Sequence, residues 1–133
     1  MTQLRAPTTV WIVDDDLGFV WWLGELFTEA GCRALPALTC DQAVSLINTL
    51  NVGVDLLVLN PRLPGVVKML QTLGSSHAGF KLVLIGKAPA PFTNAIHPRA
   101  ILERPSGSDP ISRLEWLKKV RKLLKDVATA AAV

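Results

Sequence analysis

Three carboxylates in a row, Asp14, Asp15 and Asp16, follow the apolar run "TVWIV" at 9–13. Acids this close together can hold a divalent cation. They can equally cap the helix that follows and pair with a cation elsewhere in the chain. A second abrupt ending stands in "VDLLVLNPRLPG" (54–65), where Leu56 to Leu59 stops at Asn60, with Pro61, Pro64 and Gly65 close behind. Asn60 is a neutral amide at a point where a carboxylate would make chemical sense. An amide is a poor nucleophile. Its usual conversion to aspartate needs the backbone N–H of the next residue, and Pro61 has none. The side chain can instead close an Asx turn before Pro61. Gly86 ends another apolar run, "FKLVLIG", and Arg104 with Pro105 ends "AILERP". A planar guanidinium at 104 can pair bidentately with Asp14 or Asp15.

These residues meet only if the runs before them are strands of one sheet. "TVWIV" is continuous and β-branched, which marks a strand buried on both faces. "LGFVWWLGELFTEAG" (17–31) has apolar residues at 19, 22, 23, 26, 27 and 30, the period of a helix, and Gly31 closes it. "CRALPAL" (32–38) reads as a short strand that Pro36 restricts to an edge or a bulge. Thr39 caps a helix over "CDQAVSLINTL", with Ala43, Leu46, Ile47 and Leu50 on one face. "VDLLVLN" is a strand, "VVKMLQTLGSS" (66–76) a short helix, and "FKLVLIG" (80–86) a strand. Three prolines in "KAPAPFTNAIHPR" (87–99) allow a turn or two of helix at most. "AILERP" (100–105) is a brief strand. "DPISRLEWLKKVRKLLKDV" (109–127) is the last helix, with Asp109 at its cap and Pro110 in its first turn. One domain over 9–127 is expected, between tails at 1–8 and 128–133. Such alternation of strand and helix predicts a doubly wound α/β fold, a parallel sheet with helices on both faces. Sites in such sheets lie at the strands' carboxyl ends, where Asp14, Asp15, Asn60, Gly86 and Arg104 all fall.

The 133 residues suit one domain, and half of them are apolar, enough for a real core. No apolar run is long enough to span a membrane, and the N-terminus carries no signal-peptide core, so a cytoplasmic protein is expected. Cys32 and Cys40 lack metal-site spacing and read as reduced packing residues. No Ser/His/Asp, Cys/His or metal constellation points to an enzyme, and His77 and His97 read as solvent-facing loop residues.

The net charge of +3 is uneven: Arg113, Lys118, Lys119, Arg121, Lys122 and Lys125 crowd the last helix. Leu114, Leu117, Val120, Leu124 and Val127 make its apolar face, widened by Trp116 and Leu123. The basic side is either a solvated face with snorkelling lysines or a dock for an acidic partner. Nucleic acid is not expected, because no base-reading motif accompanies the charge. Trp21 and Trp22 point about 100° apart on a helix. Trp22 falls on the apolar stripe, whereas Trp21 lies either at its edge or in an exposed patch. Trp21, Trp116, Lys118, Lys119 and Lys122 form the expected interaction surface.

Taken in order, these motifs resemble the receiver domain of bacterial two-component response regulators over nearly the whole chain, 8–127. "WIVDDD" is similar to the acidic first-strand motif, and "DLLVLNPRLPG" to the third-strand motif that normally reads Asp-x-x-Met-Pro-Gly. "ERP" is similar to the fifth-strand Lys-Pro. The resemblance implies a flavodoxin-like sheet of five strands in the order 2-1-3-4-5, with a shortened or irregular fourth helix. It also implies phosphoryl transfer from a histidine kinase to an aspartate at position 60, where this chain has Asn60. Mg²⁺ would sit on Asp14, Asp15, the acceptor and the Arg62 carbonyl. With the acceptor carboxylate gone, binding is expected to be weak or vestigial, and no cofactor is expected. The hydroxyl residue of strand 4 aligns with Gly86, the strand-5 lysine with Arg104 beside Pro105, and the aromatic switch with Ile101.

Several changes in one pathway are better explained by lost phosphorylation than by drift at one site. The expected function is that of a stand-alone atypical receiver, a phosphorylation-independent protein-interaction module of bacterial signalling. It would work through an unknown protein partner or a homodimer, since the chain ends soon after its last helix. One alternative is a small ligand or ion bound in the acid pocket. Another is phosphorylation of a different acid, Asp15 or Asp16.

Overall fold

The computed structural model describes residues 8–76, 79–86, 100–103 and 113–131, with side chains beyond 125 left aside. The elements run β1 (Thr9–Val13), α1 (Leu17–Glu29), β2 (Arg33–Ala37), α2 (Cys40–Leu50), β3 (Leu56–Leu59), α3 (Val66–Ser76), β4 (Lys81–Ile85), β5 (Ala100–Leu102) and α4 (Arg113–Ala131). The five strands are all parallel and lie in the order β2-β1-β3-β4-β5. This is the doubly wound parallel sheet that the alternation predicts, in the strand order that the family resemblance implies.

Strand alternation divides the core into two layers. Val10, Ile12, Leu56, Val58, Val83 and Ile85 face α1 and α4. Trp11, Val13, Leu57, Leu59, Leu82 and Leu84 face α2 and α3. The inner strands β1 and β3 are therefore buried along their whole length, which is why their sequences are unbroken apolar runs. Pro36 sits in β2, at the sheet edge, where a missing N–H costs no ladder bond.

The caps follow the sequence. Asp16 accepts from the Phe19 N–H at 3.1 Å and starts α1. Thr39 accepts from the Gln42 N–H at 3.0 Å, and Gln42 reaches back to the Leu38 N–H at 2.7 Å. Gly31, with φ +96°, turns the chain after α1.

Three expectations need correction. Trp116 is buried, at 6% exposure, and is not part of a surface. Its ring meets Trp22 edge-on at 5.3 Å and Phe19 at 6.2 Å, so an aromatic cluster seals the seam between α1 and α4. The buried stripe of α4 runs through Trp116, Leu117, Val120 and Leu123, and Leu114 falls outside it, exposed to solvent. α4 also continues to Ala131, past the end expected at 127, on a segment in which three of the last four residues are alanine, the best helix former. The irregular fourth helix at 87–99, the Asp109–Pro110 cap, His77, His97, Arg104 and Pro105 lie outside the described residues.

Candidate functional site

The β1 and β3 ends are tied together by the Asn60 N–H, which donates to the Val13 carbonyl at 2.9 Å. The Asp14 N–H donates to the Ala37 carbonyl of β2 at 3.1 Å. The two side chains that the sequence singled out are thus carried into one place by backbone hydrogen bonds. Asp14 is fully buried. Its Oδ1 accepts from the Asp16 N–H at 3.1 Å and lies 3.5 Å from Asn60 Nδ2.

Asn60 is oriented by its own turn. Its Oδ1 accepts from the Arg62 N–H at 2.9 Å, closing an Asx turn across Pro61. The Leu63 N–H donates to the Asn60 carbonyl at 3.3 Å, and Gly65, with φ +83°, leads into α3. Because the amide oxygen is held by a backbone donor, the amide NH₂ must face Asp14. A carboxylate at this position would face Asp14 with a lone pair instead.

The three consecutive acids have separated roles. Asp14 is the buried acceptor, Asp15 is exposed, and Asp16 caps α1. Among the described residues, no group of three or more His, Cys, Asp or Glu side chains is arranged to hold a metal ion. These residues do not fit the magnesium site implied by the resemblance. The side chain at position 60 is a neutral amide whose oxygen is turned to the Arg62 N–H and whose N–H groups point at the acid.

Gly86 ends β4 with φ +85°, and its N–H donates to the Leu102 carbonyl at 2.8 Å. A β-branched threonine would be strained in that conformation. The glycine is therefore part of how β4 meets β5. Ile101 is about half exposed on β5.

Of the expected interaction surface, Trp21, Lys118, Lys119 and Lys122 are exposed. Lys119 Nζ lies 5.2 Å from the centre of the Trp116 ring. The sequence reading missed a groove of about 550 Å³ between α1 and β2, lined by Val20, Trp21, Gly24, Ala34 and Pro36 and bordered by Arg113. No linear motif encodes it. The one available signal was Gly24, a glycine in mid-helix where alanine is more stable. A Cβ there would lie 3.9 Å from Ala34 and Ile12, an ordinary contact. Cys32 and Cys40 form no disulfide. Burial raises both thiol pKa values, with smaller contributions from Asp55 and Asp41 respectively.

No protein-family model matches the sequence, and no curated protein matches it. Solved structures do. A CheY-like response regulator receiver domain protein from Methanospirillum hungatei JF-1 is 19% identical with a TM-score of 0.69, over 94% of this chain and 99% of that one. The signal receiver domain of an HD domain-containing protein from Pseudomonas fluorescens Pf-5 is 16% identical with a TM-score of 0.71, over 99% and 97%. The response regulator TrrA from Thermotoga maritima, in complex with Mg²⁺–BeF, is 19% identical with a TM-score of 0.59, over 87% and 98%. The chain has the flavodoxin-like fold of response regulator receiver domains.

Proposed function

We propose that this chain is an atypical receiver, a bacterial signalling module that acts through protein contacts and without phosphoryl transfer. One observation carries the reading. The side chain at the phosphoacceptor position is an amide, its oxygen held by the Arg62 N–H and its nitrogen turned toward Asp14. That group is no nucleophile toward phosphorus, and it places a donor where a metal ligand is needed. Gly86 offers no hydroxyl and Ile101 no aromatic ring, so two further parts of the phosphate-sensing apparatus are absent. What remains is a rigid α/β scaffold with a basic helix and an exposed tryptophan. The role is binding, not catalysis, and its setting is the cytoplasm.

The test is an amide NMR titration of the full chain with Mg²⁺, then with beryllofluoride. The expected result is no saturable shift at Asp14, Asp15, Asn60 or Gly86. Saturable shifts centred on those residues would overturn the reading and return the protein to the phosphorylated receivers.

A further inference from the structure

The sheet layer that carries α1 and α4 has an uneven distribution of charge. From Asp15 to Glu29 the chain has Asp15, Asp16, Glu25 and Glu29 and no lysine or arginine. From Arg113 to Lys125 it has six cations and one acid, Glu115. Arg113 crosses between the two surfaces, to Glu29 and, at 3.9 Å, to Glu25. The same two helices carry the three most exposed large apolar side chains among the described residues. These are Leu114 at 72%, Trp21 at 67% and Leu17 at 61%. Their spacing is matched. Leu17, Trp21, Glu25 and Thr28 recur at helical intervals on α1, and Leu114, Lys118, Lys122 and Lys125 recur at the same intervals on α4, all exposed. The first stripe sets one acid, Glu25, beside a tryptophan, with the exposed Asp15 just ahead of the helix, and the second sets three lysines after a leucine.

We propose that this layer is a homodimer face, on which a second copy of the chain lays its α4 across α1 and receives α4 across its own α1. A two-fold axis makes both contacts at once, so the surface is self-complementary. Asp15 and Glu25 meet the partner's lysine stripe, and Trp21 offers its ring to lysine stems and ammonium groups. The groove beside Trp21 gives the contact an apolar seat. Extension of the sheet is a poor alternative for this edge. Arg33 and Ala37 direct their backbone groups toward β1, so Ala34 and Pro36 face outward. Pro36 has no N–H, while the N–H groups of Cys32 and Leu38 are bound to Phe27 and Gln42. Strand addition finds at most one backbone donor, at Ala34. The occupant is therefore helical, and the complementary helix is on the same molecule.

The proposal deepens the proposed function by naming its partner surface, and it can fail separately. A phosphorylated chain would overturn the function and leave this face standing. The test is sedimentation equilibrium of the full chain, with far-UV circular dichroism to check folding. The wild type is expected at twice its 14.4 kDa chain mass, with association weakening as salt is added. The double variant Lys118→Glu/Lys122→Glu and the double variant Asp15→Lys/Glu25→Lys each lose about a hundredfold in association, because like charges then meet at both contacts. Mixed one to one, they associate again, because each variant's altered charges meet their complement on the other. Trp21→Ser, a neutral change on the same face, also weakens the dimer. A monomeric wild type at every concentration would overturn the proposal and leave the face to a different protein. A dimer indifferent to both charge reversals, or variants that fail to recombine, would overturn it as well.

Discussion

Replacing Asn60 by aspartate restores the chemistry expected at the end of β3, and the structure specifies its cost. The Asx turn survives, because one carboxylate oxygen still accepts the Arg62 N–H. The other then faces Asp14 Oδ1 at the present 3.5 Å, beside a fully buried carboxylate. Two like charges at that distance repel by about 4–5 kcal/mol at an effective dielectric constant of about 20. The introduced carboxyl can escape by keeping its proton, which at pH 7 costs at most about 4 kcal/mol from a reference pKa of about 3.9. Asn60 is half-buried and partly solvated, so a loss of about 2–4 kcal/mol at pH 7 is expected for Asn60→Asp. The sign of the pH dependence follows. The introduced carboxyl titrates higher in the folded chain than in the unfolded one. Its stability relative to wild type is therefore fully present below about pH 4 and is lost as pH rises through the folded value. Urea unfolding followed by tryptophan fluorescence measures this, with both proteins compared at pH 4 and pH 7. Mg²⁺ is expected to recover part of the loss in the variant, which gains a carboxylate ligand, and to leave the wild type unmoved. Equal stabilities at pH 7 would refute the reasoning that the amide nitrogen is held against Asp14.

Three further outcomes are expected. Trp116→Ala removes a buried ring from the cluster with Phe19 and Trp22 and costs about 3–5 kcal/mol, whereas a surface role would cost under about 0.5 kcal/mol; chemical denaturation separates the two. Asp16→Ala removes the α1 cap and costs about 1 kcal/mol, read as a lowered denaturation midpoint with an unchanged slope. Alkylation of native Cys32 and Cys40 stays slow until pH passes the ordinary thiol value of 9.0, because burial raises both. The fold loses stability as pH climbs from that value through the folded ones, which a pH series of melting curves records.

The strands were legible because the runs at 10–13, 56–59 and 82–85 are apolar without interruption, as a doubly covered parallel sheet requires, whereas their order came from the family resemblance. Caps at Asp16 and Thr39 were legible because their chemistry is local. Asn60 was legible as an anomaly, since its neighbours on both sides follow a pattern that it breaks. The orientation of its amide was not, because it depends on the Arg62 N–H and on Asp14, 46 residues away. The consecutive acids 14–16 looked alike in sequence and differ only in which way the chain turns after β1. Trp116 misled because it sits among cations, and helical spacing alone does not say which neighbour a ring will meet. Gly86 read as a lost hydroxyl, while its positive φ could be seen only in the folded backbone. The α1–β2 groove joins residues from separate elements and leaves no local trace.

The central claim is that nothing at the ends of β1 and β3 accepts a phosphoryl group. Intact mass after incubation of the full chain with acetyl phosphate and Mg²⁺ tests it most directly. The account predicts an unchanged mass for the wild type under conditions that phosphorylate an ordinary receiver run beside it. A gain of one phosphate, lost on brief alkaline treatment and mapping to Asp15 or another acid of the site, would contradict it.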